Sequence, residues 1–205
     1  MSRKVKMGTV SMLLDRKLTG MHYYHKMTEY AEMILEEASS EKPDLMVLPE
    51  YFAYAHLDAN DKTVTAESIP DLTRPVQKKM SYIAKKMNCN LVFGMVEADQ
   101  GKYYNVAVVL NREGAYVGKY RKVHLAPGES KYFTSGDQTV VLDLDIGKLG
   151  LAICMDIHYP EMWTAMALEG ADIIAHPAAW MDYTGDLCES LVNARAIDNQ
   201  YFVVT

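Results

Sequence analysis

The chain has 205 residues, 49% hydrophobic and 23% charged, which suits one globular domain able to bury its own core without a metal or disulfide staple. Its formal net charge of -6, with lysines and arginines scattered along the chain, argues against a nucleic-acid surface. Three cysteines without CxxC spacing (Cys89, Cys154, Cys188), no apolar run near the ~20 residues that span a bilayer, and an N-terminus lacking a small-residue cleavage site point to a cytoplasmic protein with free thiols and no membrane partner.

Taken in chain order, the alternation over Val5–Met12 predicts a strand, and the 3.6-residue spacing over His22–Ser39 predicts a helix. Leu45–Leu48 is a short, fully apolar strand that ends in Pro49-Glu50. A second helix is expected over Thr73–Met87, with the lysine pairs 78–79 and 85–86 on its solvated face, followed by a strand over Asn90–Val96. Tyr103–Asn111 and Ala115–Val123 flank an Arg112-Glu113-Gly114 turn and read as an antiparallel hairpin. Val140–Asp145 and Leu149–Met155 flank a second turn. Helix Pro160–Glu169, capped by Gly170, leads to a strand over Asp172–His176, then a helix over Gly185–Gln200 and a last strand over Tyr201–Val204. In the last helix, Leu187, Leu191, Ala194 and Ile197 are expected to face a core. The alternation of helices and apolar strands indicates a layered α/β fold in one domain over 1–205. Because Tyr201–Thr205 reads as a strand interior, further chain is expected beyond it.

Three segments carry chemistry. In Leu-Met-Val-Leu-Pro-Glu-Tyr-Phe (45–52) a carboxylate, Glu50, follows a buried strand, where it is either a turn residue at the surface or a group at the mouth of a cleft. In Lys-Tyr-Arg-Lys-Val-His-Leu (119–125) alternation puts Tyr120, Lys122 and His124 on one face and Arg121 and Val123 on the other; the segment is either a solvated edge that blunts aggregation or a carrier of a reactive lysine. In Leu-Gly-Leu-Ala-Ile-Cys-Met-Asp-Ile-His-Tyr-Pro-Glu (149–161) an apolar strand delivers Cys154 to a junction before a helix. Backbone N–H groups and a helix N-terminus there would lower the thiol's proton affinity and favour thiolate; the alternative is a small buried hydrophobe. His22 and His25 have a His-x-x-His spacing without an obvious third ligand, so no metal site is expected.

Together the three segments resemble the nitrilase (carbon–nitrogen hydrolase) superfamily, in which glutamate, lysine and cysteine occur in this order. The likeness extends to Asn105-Val106-Ala107, Gly170-Ala171-Asp172, His176-Pro177-Ala178-Ala179-Trp180 and Asn193-Ala194-Arg195-Ala196. The resemblance implies an α/β four-layer α-β-β-α sandwich of two mixed sheets, a Glu50–Lys122–Cys154 triad and no cofactor. Cys154 would attack the carbonyl or nitrile carbon, Lys122 and the backbone N–H of Met155 would hold the oxyanion, and Glu50 would move the protons. Glu129 matches a second glutamate that positions substrate or lysine, and Tyr51 and Trp180 are candidates for the pocket wall. The resemblance also implies a small amide or carbamoyl substrate and a homodimer or larger homo-oligomer, and the segment that usually completes the sandwich lies outside these residues. Ile157-His158-Tyr159 stands where carbamoylases carry carboxylate-binding arginines, which weakens a carboxylate-bearing substrate; Arg195-Ala196-Ile197-Asp198-Asn199 has Asp where the family often has Glu. The rival reading is an inactive or acyl-transferring relative that acts as a binding subunit.

Overall fold

The computed structural model describes residues 4–12, 20–53, 69–180 and 185–205. Strands β1 (Met7–Thr9), β2 (Leu45–Val47) and β3 (Asn90–Asp99) run parallel, and β4 (Lys102–Leu110) and β5 (Tyr116–Arg121) continue the sheet antiparallel, in the order β1-β2-β3-β4-β5. A second mixed sheet has the order β6-β7-β8-β9, from β6 (Val141–Leu144), β7 (Gly147–Leu151), β8 (Ile173–Ala175) and β9 (Phe202–Val204); β6 and β7 are antiparallel, the rest parallel.

Alternation along β4 decides which layer meets which. Tyr104, Val106, Val108 and Leu110 join one core with Tyr23, Met27, Ala31 and Leu35 of helix α1 (Gly20–Ala38) and with Val76, Met80 and Ile83 of helix α2 (Ile69–Met87). Ala107 and Val109, on the opposite face, join a second core with Leu149 and Leu151 of β7, Ile173 and Ala175 of β8, and Trp163 and Met166 of helix α3 (Pro160–Leu168). Helix α4 (Gly185–Asn199) packs beside α3, so the layers run helix, sheet, sheet, helix as the resemblance implies.

The structure differs from the expected elements in four places. Strand β1 keeps only Met7–Thr9 of the expected Val5–Met12, although Val10 N–H still reaches Val47 O at 2.9 Å. Helix α2 starts one turn earlier than Thr73; Pro70 takes a first-turn place where no N–H is required, and Pro75 is carried inside. In α4, Leu187 and Ile197 are 54% and 75% exposed, contrary to expectation, while Cys188 and Arg195 are buried. The inward stripe runs through Arg195, whose Nε donates to Ile157 O at 3.1 Å, and a pattern read from apolar residues alone cannot see that arginine. Phe202 of β9 is likewise 71% exposed rather than buried. Gly170 does end the helix before it, with φ 87°.

Candidate active site

Strand β2 brings Pro49-Glu50-Tyr51 against β3 at Gly94. A Cβ on Gly94 would lie 2.7 Å from Glu50 Cα and from Tyr51 N, so only glycine lets the two backbones approach this closely. Glu50 is 2% exposed. Its Oε1 accepts from Lys122 Nζ at 2.8 Å and from Asn105 Nδ2 at 2.7 Å, and its Oε2 accepts from the Ala179 N–H at 3.1 Å.

The basic segment divides between a partly exposed edge and a buried lysine. Lys119 and Arg121 face outward from edge strand β5; Arg121 pairs with Glu97 at 2.8 Å and Asp99 at 2.6 Å, its guanidinium 3.9 Å from the Tyr104 ring centre. Lys119 also pairs with Glu97. Lys122 points the other way and is 1% exposed. Its backbone N–H continues the β4 ladder to Asn105 O at 2.8 Å, and its ammonium also donates to Glu129 Oε2 at 2.8 Å. Glu129 opens a short 3-10 turn (Glu129–Lys131), where its Oε2 accepts the Ala126 N–H at 2.6 Å and its Oε1 accepts the Tyr51 hydroxyl. The Tyr51 ring stacks on Phe133 with centroids 5.7 Å apart.

Cys154 leaves β7 with φ 42°, a left-handed conformation unusual for a residue with a side chain, and opens a 3-10 turn over Cys154–His158. The turn is held by Asp156, which is fully buried. Its Oδ2 accepts from Ile153 N and Tyr120 OH, both at 2.8 Å, and its Oδ1 from His124 N at 3.0 Å. Tyr120 OH in turn accepts Val123 N–H at 2.9 Å. One carboxylate thus ties the segment bearing Lys122 to the turn bearing Cys154. The Cys154 N–H donates to Pro177 O at 3.0 Å. His176 Nε2 lies 3.1 Å from the Cys154 carbonyl, which can only accept, so Nε2 carries the proton.

The charges are interdependent. Burial raises the proton affinity of Glu50, against the pull of Lys122 and the Asn105 amide. Burial pushes Glu129 the same way, yet Lys122, Tyr51 and the Ala126 N–H outweigh it and hold this carboxyl below its usual range. Burial alone would lower Lys122; Glu50, Cys154 and Glu129 outweigh it, and the ammonium is held above the ordinary lysine range. The expected thiolate-favouring environment of Cys154 is not found. Burial and the Glu50 charge push the thiol up, more than Lys122 and the Ala179 N–H pull it down. The five-residue turn is also not the start of α3, which begins at Pro160, so the helix end invoked to lower the thiol is not adjacent. Burial and the Glu50 carboxylate thus favour the neutral thiol over the thiolate.

The structure brings Glu50, Lys122 and Glu129 into one hydrogen-bonded cluster, whose Glu50 charge raises and whose Lys122 charge lowers the proton affinity of Cys154. Met155 is half-buried in the turn after Cys154, and Trp180 is half-buried with its ring 5.7 Å from His176. His22 and His25 are both exposed on α1, and among the described residues no three His, Cys, Asp or Glu side chains gather to hold a metal. Gly94, Asn105, Asp156 and His176 have no assigned role in the sequence motifs. Two of them carried a signal: a glycine and an asparagine each interrupt an otherwise apolar strand.

The carbon–nitrogen hydrolase family profile matches residues 21–205. The chain is 33% identical over 190 residues to the chloroplastic omega-amidase of Arabidopsis thaliana, covering 86% of this chain and 51% of that protein. It is 33% identical over 182 residues to omega-amidase NIT2 of Homo sapiens, covering 83% and 64%. The chain thus spans half to two thirds of the length of these relatives. Among solved structures, Saccharomyces cerevisiae Nit3, a member of branch 10 of the nitrilase superfamily, superposes with TM-score 0.76 at 28% identity, covering 90% of this chain and 70% of that one. The carbon–nitrogen hydrolase of Helicobacter pylori G27 superposes with TM-score 0.81 at 26% identity, covering 98% and 74%.

Proposed function

The chain belongs to the carbon–nitrogen hydrolase family, and from that premise we propose that it hydrolyses the C–N bond of a small amide through a thioester on Cys154. The observation that carries the reading is the buried ammonium of Lys122, 2.8 Å from both Glu50 and Glu129, whose charge opposes the rise that burial and Glu50 impose on the Cys154 thiol. A buried lysine between two carboxylates costs desolvation and is a weak source of stability, so a catalytic use accounts for it better than a structural one.

In the proposed reaction Glu50 takes the thiol proton as Cys154 Sγ bonds to the carbonyl carbon. The electron pair of the C=O bond moves to oxygen, which faces the Lys122 ammonium and the Met155 N–H. Collapse breaks the C–N bond, Glu50 returns the proton to the leaving nitrogen, and ammonia or an amine departs. Water then gives its proton to Glu50 and attacks the thioester; cleavage of the C–S bond releases a carboxylic acid and restores the thiol. Glu129 stays ionised throughout and neutralises Lys122. Tyr51, stacked on Phe133 and anchored to Glu129, supplies a rigid wall, and Trp180 a second one.

The names of the omega-amidase relatives favour a primary amide at the end of a short acyl chain, with N-carbamoyl compounds as the next class. Ammonia release from a panel of ω-amides, N-carbamoyl amines and nitriles tests this. Turnover of ω-amides above the others is expected; release from none of them would remove the hydrolase reading and leave a binding subunit.

A further inference from the structure

We propose that Asn105 is a positioning residue of the acid–base step: its amide group, with the Lys122 ammonium, occupies Glu50 Oε1, so that Oε2 is the oxygen that exchanges protons with Cys154 and the leaving nitrogen. The inference rests on Glu50 acting as the base.

The geometry separates the two oxygens of Glu50. Oε1 receives Lys122 Nζ at 2.8 Å and Asn105 Nδ2 at 2.7 Å, which leaves it poor at accepting a further proton. Oε2 receives, among the described residues, the Ala179 N–H at a longer 3.1 Å, which leaves it free to take a further proton, and the Glu50 carboxylate is near enough to raise the proton affinity of the Cys154 thiol. The same Asn105 Nδ2 lies 2.6 Å from the Tyr51 hydroxyl and 3.4 Å from Glu129 Oε1, which locks the orientation of the whole acidic cluster to strand β4.

Asn105 is badly placed for a purely structural residue. It is fully buried, and its Oδ1 has no hydrogen-bond partner among the described residues. Its neighbours on the same face of β4, Ala107 and Val109, fill the core between the sheets without that cost. An amide is needed there only for what its Nδ2 does. Donation to Glu50 favours the carboxylate form and counters part of the burial that pushes this carboxyl up.

The test is the pH dependence of kcat/KM for ammonia release, and in parallel of Cys154 alkylation by iodoacetamide located by mass spectrometry. The wild-type protein is compared with Asn105→Ala and the isosteric Asn105→Asp. The base works only when Glu50 is ionised, so loss of a donor to the carboxylate should move the acid limb of both profiles to higher pH, by roughly one unit for the alanine variant. Asn105→Asp, which adds a third carboxylate, should move it further. KM should stay within about threefold while kcat falls at least tenfold. A fall in kcat with an unmoved acid limb, unchanged profiles, or failure of both variants to fold would each overturn the proposal. If the wild-type protein releases no ammonia from any amide, the hydrolase reading falls, and the alkylation profiles still decide the role of Asn105.

Discussion

The Lys122 ammonium donates to Glu50 Oε1 at 2.8 Å, and the two side chains are 1% and 2% exposed. At that burial the pair cannot be relaxed by water, so geometry matters as much as charge. Lys122→Arg keeps the charge but replaces a compact ammonium with a planar fork that does not fit between Glu50 and Glu129. Ammonia release should fall about 10²–10³-fold, as for loss of an oxyanion donor. Near-normal turnover would make Lys122 a structural cation.

Gly94 sets the position of the base. Its missing Cβ leaves room for Glu50 Cα at 2.7 Å, and the obstructing atoms are backbone, which cannot rotate away. Gly94→Ala should displace Glu50 by a fraction of an ångström or more and reduce turnover about 10²-fold with circular dichroism unchanged. Wild-type activity in this variant would mean that the placement of Glu50 tolerates such a shift.

Asp156 should matter more for stability than its distance from the chemistry suggests. Its two oxygens accept from Ile153 N, Tyr120 OH and His124 N, and an asparagine would turn an amide against at least one of these donors. Asp156→Asn is expected to lose about 2–4 kcal/mol in urea unfolding. A loss below the error of the measurement would mean that the turn is held by its other bonds.

His176 gives the stability a pH signature. Burial pushes its imidazole down to about 4, against an ordinary value of 6.5. The unfolded chain therefore binds a proton that the folded one refuses between those values. Its contribution is fully present above about pH 6.5 and is lost as pH falls toward about 4, roughly 3 kcal/mol in all. Glu50, whose proton affinity burial raises, works in the opposite direction over part of the same window, so the comparison must be between variants. Urea midpoints of the wild-type protein and His176→Gln at pH 7 and pH 5 check it: the glutamine variant should lose less stability on acidification. Equal losses would show that His176 does not control this window.

Much of this architecture is legible in the sequence because period-2 and period-3.6 patterns report burial directly. The β4–β5 hairpin and the Gly170 helix end are read from composition and turn residues alone. What is not legible is polar burial. Arg195 faces inward and bonds Ile157 O, while Leu187 and Ile197 lie on the exposed side of the helix. The thiol environment is missed for a similar reason: the sequence shows a cysteine before a helix, but not the 3-10 turn between them or the carboxylate beside the sulfur. The role of Asn105 depends on Glu50, Tyr51 and Glu129, each more than twenty residues away along the chain, and only the fold brings them together.

The most direct measurement is the mass of the protein quenched with acid during turnover of an ω-amide, with ammonia release followed in the same samples. The wild-type chain should carry the acyl group on the peptide containing Cys154, and Cys154→Ala should neither acquire the adduct nor release ammonia while keeping the native circular dichroism spectrum. Ammonia release by Cys154→Ala at a substantial fraction of the wild-type rate would contradict it.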